Sequence, residues 1–253
     1  MKHTLLCLFF IAIVGVLNAQ IAQPDVYDTS KTKLSVQPLV HASLIFNWDG
    51  KSIYVDPSRI ENLGYELPKA DVVFITDIHG DHLNIKTLLQ VITPQTIIVL
   101  PPAAQLKLKS TELPNKLIVI RNGETQKVLG IKVKALPMYN LPEKSTSRHI
   151  KGRGNGYVLN FGGLRVYISG DTSDIKEMRA LKNIDMAFIC MNLPYTMTVD
   201  KAASAVLDFK PKIVYPFHYR GKGGLSDVNK FKSLIYKDNK EIIVILKNWY
   251  PKR

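Results

Sequence analysis

The chain has very little cysteine, with only Cys7 and Cys190 among its 253 residues. A cysteine-ligated zinc cluster and a framework of several disulfides are therefore both excluded. Cys7 lies in an apolar run near the amino terminus, and removal of that run would leave one thiol and no intrachain disulfide. The fold must then depend on a hydrophobic core, which the 46% content of hydrophobic residues can supply.

The sequence also lacks an apolar run of about 20 residues, the length that a comfortable membrane span requires. A short basic start is followed by an almost wholly apolar run from Leu5 to Leu17. This pattern is typical of a secretory signal peptide, with an uncleaved anchor as the alternative. We predict a signal peptide at residues 1–19, cleaved near Ala19 or Ala22, a single domain at residues 20–253, and a periplasmic or secreted location.

Acidic residues are few relative to basic ones, 21 against 34, which gives a formal net charge of +13. The lysines are scattered along the chain, and no motif interleaves aromatic and basic residues as nucleic-acid-binding modules do. We therefore expect no nucleic-acid partner. A solvated basic surface is the simplest interpretation. The alternative is a surface that steers a small anionic substrate or binds an anionic envelope surface.

Stretches rich in Val, Ile and Tyr recur in both halves of the chain, where hairpins alternate with strand–helix units. The Asp49-Gly50 and Gly162-Gly163 dipeptides are typical of hairpin turns. Helices are predicted after a capping Asn84, at 199–209 and around 227–236. This order fits an α/β (α+β) fold in which two mixed sheets pack face to face with helices outside. The predicted strands are 34–40, 43–48, 52–55, 72–76, 96–100, 117–120, 126–128, 131–136, 156–161, 164–169, 186–190, 213–215 and 241–245.

The segment T-D-I-H-G-D-H at 76–82 carries four potential metal ligands: Asp77, His79, Asp81 and His82. It begins at the carboxyl end of an apolar strand, where a rigid strand can aim the side chains of a following loop. In an extended loop the alternate side chains can converge on one ion, and the adjacent Asp81-His82 pair can point toward a neighbouring ion. The segment therefore predicts part of a metal site.

Further ligand-type residues lie near predicted strand ends or in glycine-rich loops: His41, His149, Asp171 and His218. Together they predict a metal site that is assembled from distant segments. A carboxylate at position 171 can bridge two cations because it has two acceptor oxygens. The alternative for Asp171 is a cap on the turn that follows it. The alternative for His218 is a surface histidine.

Four motifs follow in order along residues 34–220: T-D-I-H-G-D-H at 76–82, His149 with G-R-G-N-G-Y at 152–157, Y-I-S-G-D-T at 167–172, and P-F-H-Y at 216–219. Together they resemble the metallo-β-lactamase fold superfamily. M-N-L-P-Y-T-M at 191–197 and V-H-A-S at 40–43 make the chain most similar to the branch of L-ascorbate-6-phosphate lactonase-like metal-dependent hydrolases. The resemblance implies a four-layer αββα sandwich with one or two divalent metal ions, usually zinc and sometimes manganese or iron.

The resemblance also implies a role for each ligand-type residue. His41 and Asp56 would orient the ligands by hydrogen bonding, although Asp56 could equally form a turn before Pro57. The ligands themselves would be His79 and His149 for the first metal, Asp81, His82 and His218 for the second, and Asp171 as the bridge between the two metals.

Asp77 departs from the superfamily pattern, which usually has histidine at this position. We predict that Asp77 ligates the first metal, because aspartate is a legitimate zinc ligand. Its added negative charge would bias that site toward harder ions such as manganese, iron or magnesium. The alternative is that Asp77 does not ligate and that the first site is weak or empty.

The implied activity is hydrolysis by a metal-bound hydroxide, since a single zinc lowers the pKa of its bound water to about 7. The predicted catalytic carboxylates are Asp81, which would accept the proton of the water, and Asp171. Asn192, Tyr195 and Arg220 are the predicted substrate contacts, with structural roles as the alternative. The expected substrate is a small anionic ester, lactone or phosphoester. The alternatives are a phosphodiesterase or phospholipase-D-like enzyme and, from another class, a non-catalytic metal-binding envelope protein.

Overall fold

In the computed structural model, which describes residues 21–61, 63 and 66–251, the chain forms two facing seven-stranded mixed sheets. The predicted signal peptide at residues 1–19 lies outside the described residues. Within them, no helix has the length and apolar content that crossing a bilayer requires. The two mixed sheets and the outer helices confirm the predicted α/β fold.

The first sheet contains its strands in the order of the sequence. The first four strands pair antiparallel, and the fourth to seventh pair parallel. The β3–β4 pair closes at Asp49-Gly50, as predicted, with both turn residues in the left-handed region. The strands are β1 (Asp25–Asp28), β2 (Lys33–Val40), β3 (Ser43–Trp48), β4 (Lys51–Val55), β5 (Val72–Phe74), β6 (Ile97–Leu100) and β7 (Lys116–Val119).

The second sheet repeats this plan with an antiparallel meander followed by parallel strands. The predicted hairpin at Gly162-Gly163 joins β10 to β11. Its strands are β8 (Thr125–Val128), β9 (Ile131–Met138), β10 (Gly154–Phe161), β11 (Leu164–Ile168), β12 (Met186–Cys190), β13 (Ile213–Phe217) and β16 (Ile243–Val244), and a separate small hairpin contains β14 (Arg220–Gly221) and β15 (Gly224–Leu225).

Helices cover the outer faces of the sheets. They are α1 (Ile85–Val91), α2 (Pro102–Leu108) with a 3₁₀ turn at Lys109–Thr111, α3 (Lys176–Arg179), α4 (Val199–Phe209) and α5 (Val228–Asp238). The Asn84 side chain accepts a hydrogen bond from the Thr87 amide and caps α1, as predicted. The predicted bounds of α4 are confirmed at both ends.

The core forms because successive strand residues point to opposite faces of a sheet. In β3, the Phe46 ring lies 5.2 Å from the Phe161 ring and 5.7 Å from the Phe188 ring of the second sheet. The neighbouring Ile45 instead belongs to the cluster under α1 and α2. In β5, Val73 joins the same outer cluster, while its neighbours face the other sheet. Both faces of the sheet are therefore buried, which produces four layers.

Candidate metal centre

The carboxyl ends of five strands meet at one edge of the sandwich and position the candidate ligands. The chain leaves β2 into His41, β4 into Asp56, and β13 into His218, and all three residues have a positive φ, at 61°, 44° and 45°. The His218 amide donates to the His41 carbonyl at 3.1 Å, which joins two of these turns directly. The loops after β5 and β11 supply the 76–82 segment and Asp171 at the same edge, and His149 comes from the loop between β9 and β10.

The first group of ligand-type atoms comes from Asp77, His79 and His149. Asp77 Oδ2 lies 2.5 Å from His79 Nδ1 and 3.8 Å from His149 Nε2. The side chains of Asp77 and His149 are fully buried, whereas that of His79 is 23% exposed. The structure thus brings together the three residues that the sequence assigned to the first metal.

The second group comes from His82, Asp171 and His218. The Nε2 atoms of His82 and His218 lie 3.2 Å apart. Asp171 Oδ1 lies 3.1 Å from His218 Nε2, and Asp171 Oδ2 lies 3.4 Å from His82 Nε2. The same Oδ2 lies 3.2 Å from His149 Nε2 of the first group. Asp171 therefore stands between the two groups, and His218, which is fully buried, is not a surface histidine.

Asp81 groups with His41 and His218 instead of with His82 and Asp171. Its Oδ2 lies 3.2 Å from His41 Nε2 and 3.7 Å from His218 Nε2. Burial lowers the pKa of His41, so its ring is neutral at pH 7. Since Asp81 is ionised, His41 Nε2–H donates to it, and His41 Nδ1 then accepts from the Tyr250 hydroxyl at 2.9 Å.

Asp56 lies behind His82 on the side away from the ligand groups. Its Oδ1 accepts from the Thr76 amide at 2.8 Å, and its Oδ2 accepts from the Thr76 hydroxyl at 2.5 Å. Oδ2 also lies 2.8 Å from His82 Nδ1, which places the ring proton on Nδ1. A carboxylate in this position turns the Nε2 lone pair of His82 toward the ligand groups.

The donor atoms fit a divalent cation. The ring of His149 directs Nδ1 at the Tyr195 carbonyl, 3.1 Å away, so its Nε2 has a lone pair that faces Asp171. His149 Nε2 and Asp171 Oδ1 are buried and have no hydrogen-bond partner among the residues that the structure describes. Lone pairs that face one another in a buried site repel unless a cation lies between them, and imidazole nitrogens with carboxylate oxygens are common zinc, manganese and iron ligands.

The electrostatics also favour cations. Burial alone would raise the pKa of Asp171, but positive charge on the His218 and His82 rings holds it well below its usual value, and a divalent ion bound in place of the ring protons would supply the same positive charge. The pKa of Asp81 is likewise lowered, since the hydrogen bond from His41 and two nearby imidazoles outweigh burial. The pKa of Asp77 is also lowered: burial would raise it, but the hydrogen bond with His79 and the nearby imidazoles outweigh burial. Three carboxylates are therefore ionised at neutral pH and attract positive ions to this edge.

Arg153 is a site neighbour that sequence reasoning missed. Its Nε lies 3.3 Å from Asp77 Oδ1, and its Nη2 lies 3.4 Å from Asp77 Oδ2. Its side chain is only 16% exposed. Tyr250 was also missed, because it is near the carboxyl terminus, far along the chain from His41. The only local signal for Arg153 is its place between two glycines, directly after the His149 segment.

A cleft of about 410 Å³ opens over the ligand groups, and Asp81 and Asp171 lie in its wall. The three predicted substrate contacts, Asn192, Tyr195 and Arg220, all line this cleft. The Arg220 guanidinium lies 4.4 Å from the centre of the Tyr250 ring. Further cations in the wall are Arg59, Arg148 and Lys222, so the entrance is strongly basic.

The sequence-family model of the β-lactamase superfamily domain matches residues 35–218, a segment that includes every candidate ligand. The chain belongs to this superfamily. A UPF0173 metal-dependent hydrolase of Thermococcus onnurineus is 28% identical over 204 residues, covering 77% of this chain and 89% of the relative. A protein of the same name from Thermoplasma acidophilum is 31% identical over 206 residues, covering 77% and 88%.

Solved structures agree with this membership. The crystal structure of a provisionally named metal-dependent hydrolase from Parabacteroides distasonis has a TM-score of 0.80 and 40% identity, and the match covers 89% of this chain and 98% of that chain. The metallo hydrolase Igni18 from Ignicoccus hospitalis, at 21% identity and a TM-score of 0.70, shares the fold. The match covers 84% of this chain and 94% of Igni18. The chain is thus a metal-dependent hydrolase of the metallo-β-lactamase superfamily, which confirms the predicted family and enzyme class. The closer likeness to the L-ascorbate-6-phosphate lactonase branch stays a prediction.

Proposed function

We propose that this enzyme hydrolyses a small anionic ester, lactone or phosphoester at a centre of one or two divalent ions. The observation that carries the proposal is the position of the ligand groups directly beneath a basic cleft. Hydrolysis of such bonds needs an activated water and stabilisation of a developing oxyanion, both of which belong at the floor of a substrate cleft.

The proposed ligands follow the three groups of donor atoms. Zinc is the first expectation, with manganese or iron as alternatives. A bound divalent ion lowers the pKa of a coordinated water and polarises the oxygen of the substrate. The first ion would be held by Asp77, His79 and His149, the second by Asp81, His82 and His218, and Asp171 would contact both.

Asp81 is the proposed acceptor for the proton of the attacking water. It is partly exposed, with 21% of its side chain accessible, and it lines the cleft. The hydrogen bond with His41 holds one of its oxygens in place. His41 is in turn held by Tyr250, so we assign to His41 the orienting role for Asp81.

The cleft wall would select the charge of the substrate. Tyr195 would donate to a developing oxyanion, and Arg220 would hold a phosphate or carboxylate of the substrate. The Arg148 guanidinium lies 4.7 Å from the centre of the Tyr195 ring, which keeps a second positive charge beside that hydroxyl-bearing ring. Asn192 lies deeper, with Nδ2 3.5 Å from His218 Nε2.

Elemental analysis of protein purified without added metal, followed by removal of metal with a chelator, tests the proposal. Activity against an ester, a lactone and a bis-phosphodiester should disappear with the metal and return with zinc, manganese or iron. His82→Ala and Asp171→Ala should abolish turnover, whereas the surface variant Arg121→Gln should retain it. Protein that holds metal but cleaves none of the three bond types would contradict the proposed bond class.

A phosphodiesterase is the second candidate, and the four cations in the cleft wall favour it. Phosphodiesters keep a full negative charge at neutral pH, whereas a lactone ring is neutral. A higher kcat/KM for the bis-phosphodiester than for the lactone would favour this candidate over lactone hydrolysis.

The location remains a proposal from the sequence of residues 1–19. Fractionation of cells that produce the full chain should place the protein outside the cytoplasm and shorter by about 19 residues, the length proposed for the leader. A full-length protein in the cytoplasmic fraction would contradict it.

A further inference from the structure

Asp77 has a cationic partner within the protein. Its side chain is fully buried, and the Arg153 guanidinium approaches it side-on, with Nε toward Oδ1 and Nη2 toward Oδ2. Both separations, 3.3 and 3.4 Å, exceed the roughly 2.7–2.9 Å of a tight charge-assisted hydrogen bond. The contact therefore compensates the charge of the carboxylate while it leaves lone pairs for a second cation.

The backbone fixes this pairing. The Asn155 amide at the start of β10 donates to the Thr76 carbonyl at 2.9 Å. A side chain at Gly154 would place its Cβ 2.5 Å from Met138 Cε and 2.8 Å from the Thr76 carbonyl oxygen, so only glycine allows the strand to approach this closely. The residue before Gly154 is consequently held opposite the residue after Thr76, which brings Arg153 to Asp77.

The same short loop carries a ligand-type residue and this arginine. The Arg153 amide donates to the Ile150 carbonyl at 3.2 Å, which closes a turn directly after His149. Arg153 and His149 thus approach Asp77 from one rigid segment. An aspartate in place of a neutral histidine adds one negative charge to the first group, and Arg153 adds one positive charge beside it.

We infer that Arg153 is an internal counter-cation for Asp77 that competes with a metal ion for this carboxylate, so that the first site binds its ion more weakly than the second and fills after it. This inference rests on the proposed metal centre. A guanidinium close to a divalent ion repels it. In the metal-free protein, however, the same guanidinium places a positive charge beside a buried carboxylate whose other close partner is the His79 ring. Arg153 is therefore a positioning residue that sets the affinity and the order of metal loading.

Calorimetric titration of chelator-treated protein with zinc, and separately with manganese, tests the inference. The wild type should bind two ions with unequal affinities, so that only one ion is bound at low metal concentration. Arg153→Gln should bind the weaker ion about tenfold or more tightly, because a repelling charge is removed. Arg153→Lys retains the charge and should stay close to the wild type. A His79→Ala background, which lacks one ligand of the first site, identifies which affinity has changed.

Thermal melting gives a second readout that does not depend on activity. Metal-free Arg153→Gln should melt below the wild type, since Asp77 has lost its guanidinium partner, and added metal should raise its Tm by more than it raises that of the wild type. The matched control is Arg121→Gln, which removes an exposed guanidinium 3.7 Å from Glu124 and should show neither change.

The outcomes separate this inference from the proposed function. If the wild type binds two ions and hydrolyses a substrate, but Arg153→Gln has unchanged or weaker affinity at the first site, the inference fails and the proposed function stands. Wild-type protein that binds no divalent ion would contradict both. If Arg153→Gln and Arg153→Lys changed the metal affinity of the first site equally, the shape of the side chain would matter instead of its charge, and the counter-cation role would be overturned.

Discussion

The carboxylate of Asp56 lies 2.8 Å from Nδ1 of His82, and both side chains are buried. This contact fixes the tautomer of His82, a proposed metal ligand, on the side of the ring that faces away from the other ligands. Because Nδ1 has the proton, Nε2 is left with its lone pair toward Asp171 and His218.

Asp56→Ala should weaken metal binding by about 10- to 100-fold, the usual effect of removing a partner that orients a ligating histidine. The ring of His82 would lose the carboxylate contact on Nδ1, and the Thr76 hydroxyl and amide would lose an acceptor. Metal affinity measured by competition with a chromophoric chelator checks this prediction. Asp71→Ala, which removes a carboxylate that accepts from the Ser52 amide far from the centre, is the control and should leave the affinity unchanged.

Tyr250→Phe should lower kcat while the metal content stays the same. The variant removes the hydroxyl that donates to His41 Nδ1 and accepts from the Arg220 amide. His41 would then hold Asp81 less firmly, and the lost hydrogen bonds would reduce the free energy of unfolding by about 1 kcal/mol. Steady-state kinetics and urea unfolding measure the two effects. Tyr236→Phe, which loses only a hydroxyl contact with the Val244 amide, should leave kcat unaltered.

Arg148→Ala and Arg220→Ala should raise KM for an anionic substrate more than they lower kcat. Each variant removes one positive charge from the cleft wall, and a hydrogen bond to a charged group is worth about 1.5–3 kcal/mol. The wild-type kcat/KM should fall as salt is added, and the two variants should show a weaker salt dependence. An equal effect on a neutral ester of similar size would indicate a structural role for these arginines.

Cys190 should resist thiol reagents in the native protein at neutral pH. It is fully buried in β12, and burial raises the pKa of its thiol to about 11. In the unfolded chain the pKa is about 8.5, so folding favours the protonated thiol and this contribution to stability is lost as pH rises from about 8.5 toward the folded value. Labelling with a chromogenic disulfide should be slow in the absence of denaturant and complete in its presence. Rapid labelling of native protein would contradict the prediction.

The sequence predicted the local elements well where pattern and boundary signals agreed. Helix α4 begins at the capping Thr198 and ends before Pro211, and both ends were correct. Strand β1 was missed because its four residues have alternate polar positions and an exposed Val26. Helix α2 was missed although Pro102 at its first turn is a recognised start signal, because no side chain caps it, whereas Asn84 caps the equally short α1.

For the centre, the sequence identified the ligand-type residues but not all of their partners. Most ligand-type residues were visible because they follow apolar strands, and strand ends collect at one edge of a sheet. His149 was visible because it precedes a glycine-rich loop. The Arg153–Asp77 pair joins positions 76 residues apart, and the Tyr250–His41 pair joins positions 209 apart. Such pairs depend on how β10 and the carboxyl-terminal segment dock, and no local periodicity encodes that docking.

The position of Asp171 between the two ligand groups has a consequence for the whole chain. His79 and His82 come from the half that forms the first sheet, whereas His149, Asp171 and His218 come from the half that forms the second. A bound ion would therefore act as a reversible cross-link between the two halves. Neither half could then separate from the other without releasing its ion, so metal occupancy and cooperative unfolding of the sandwich become one linked equilibrium.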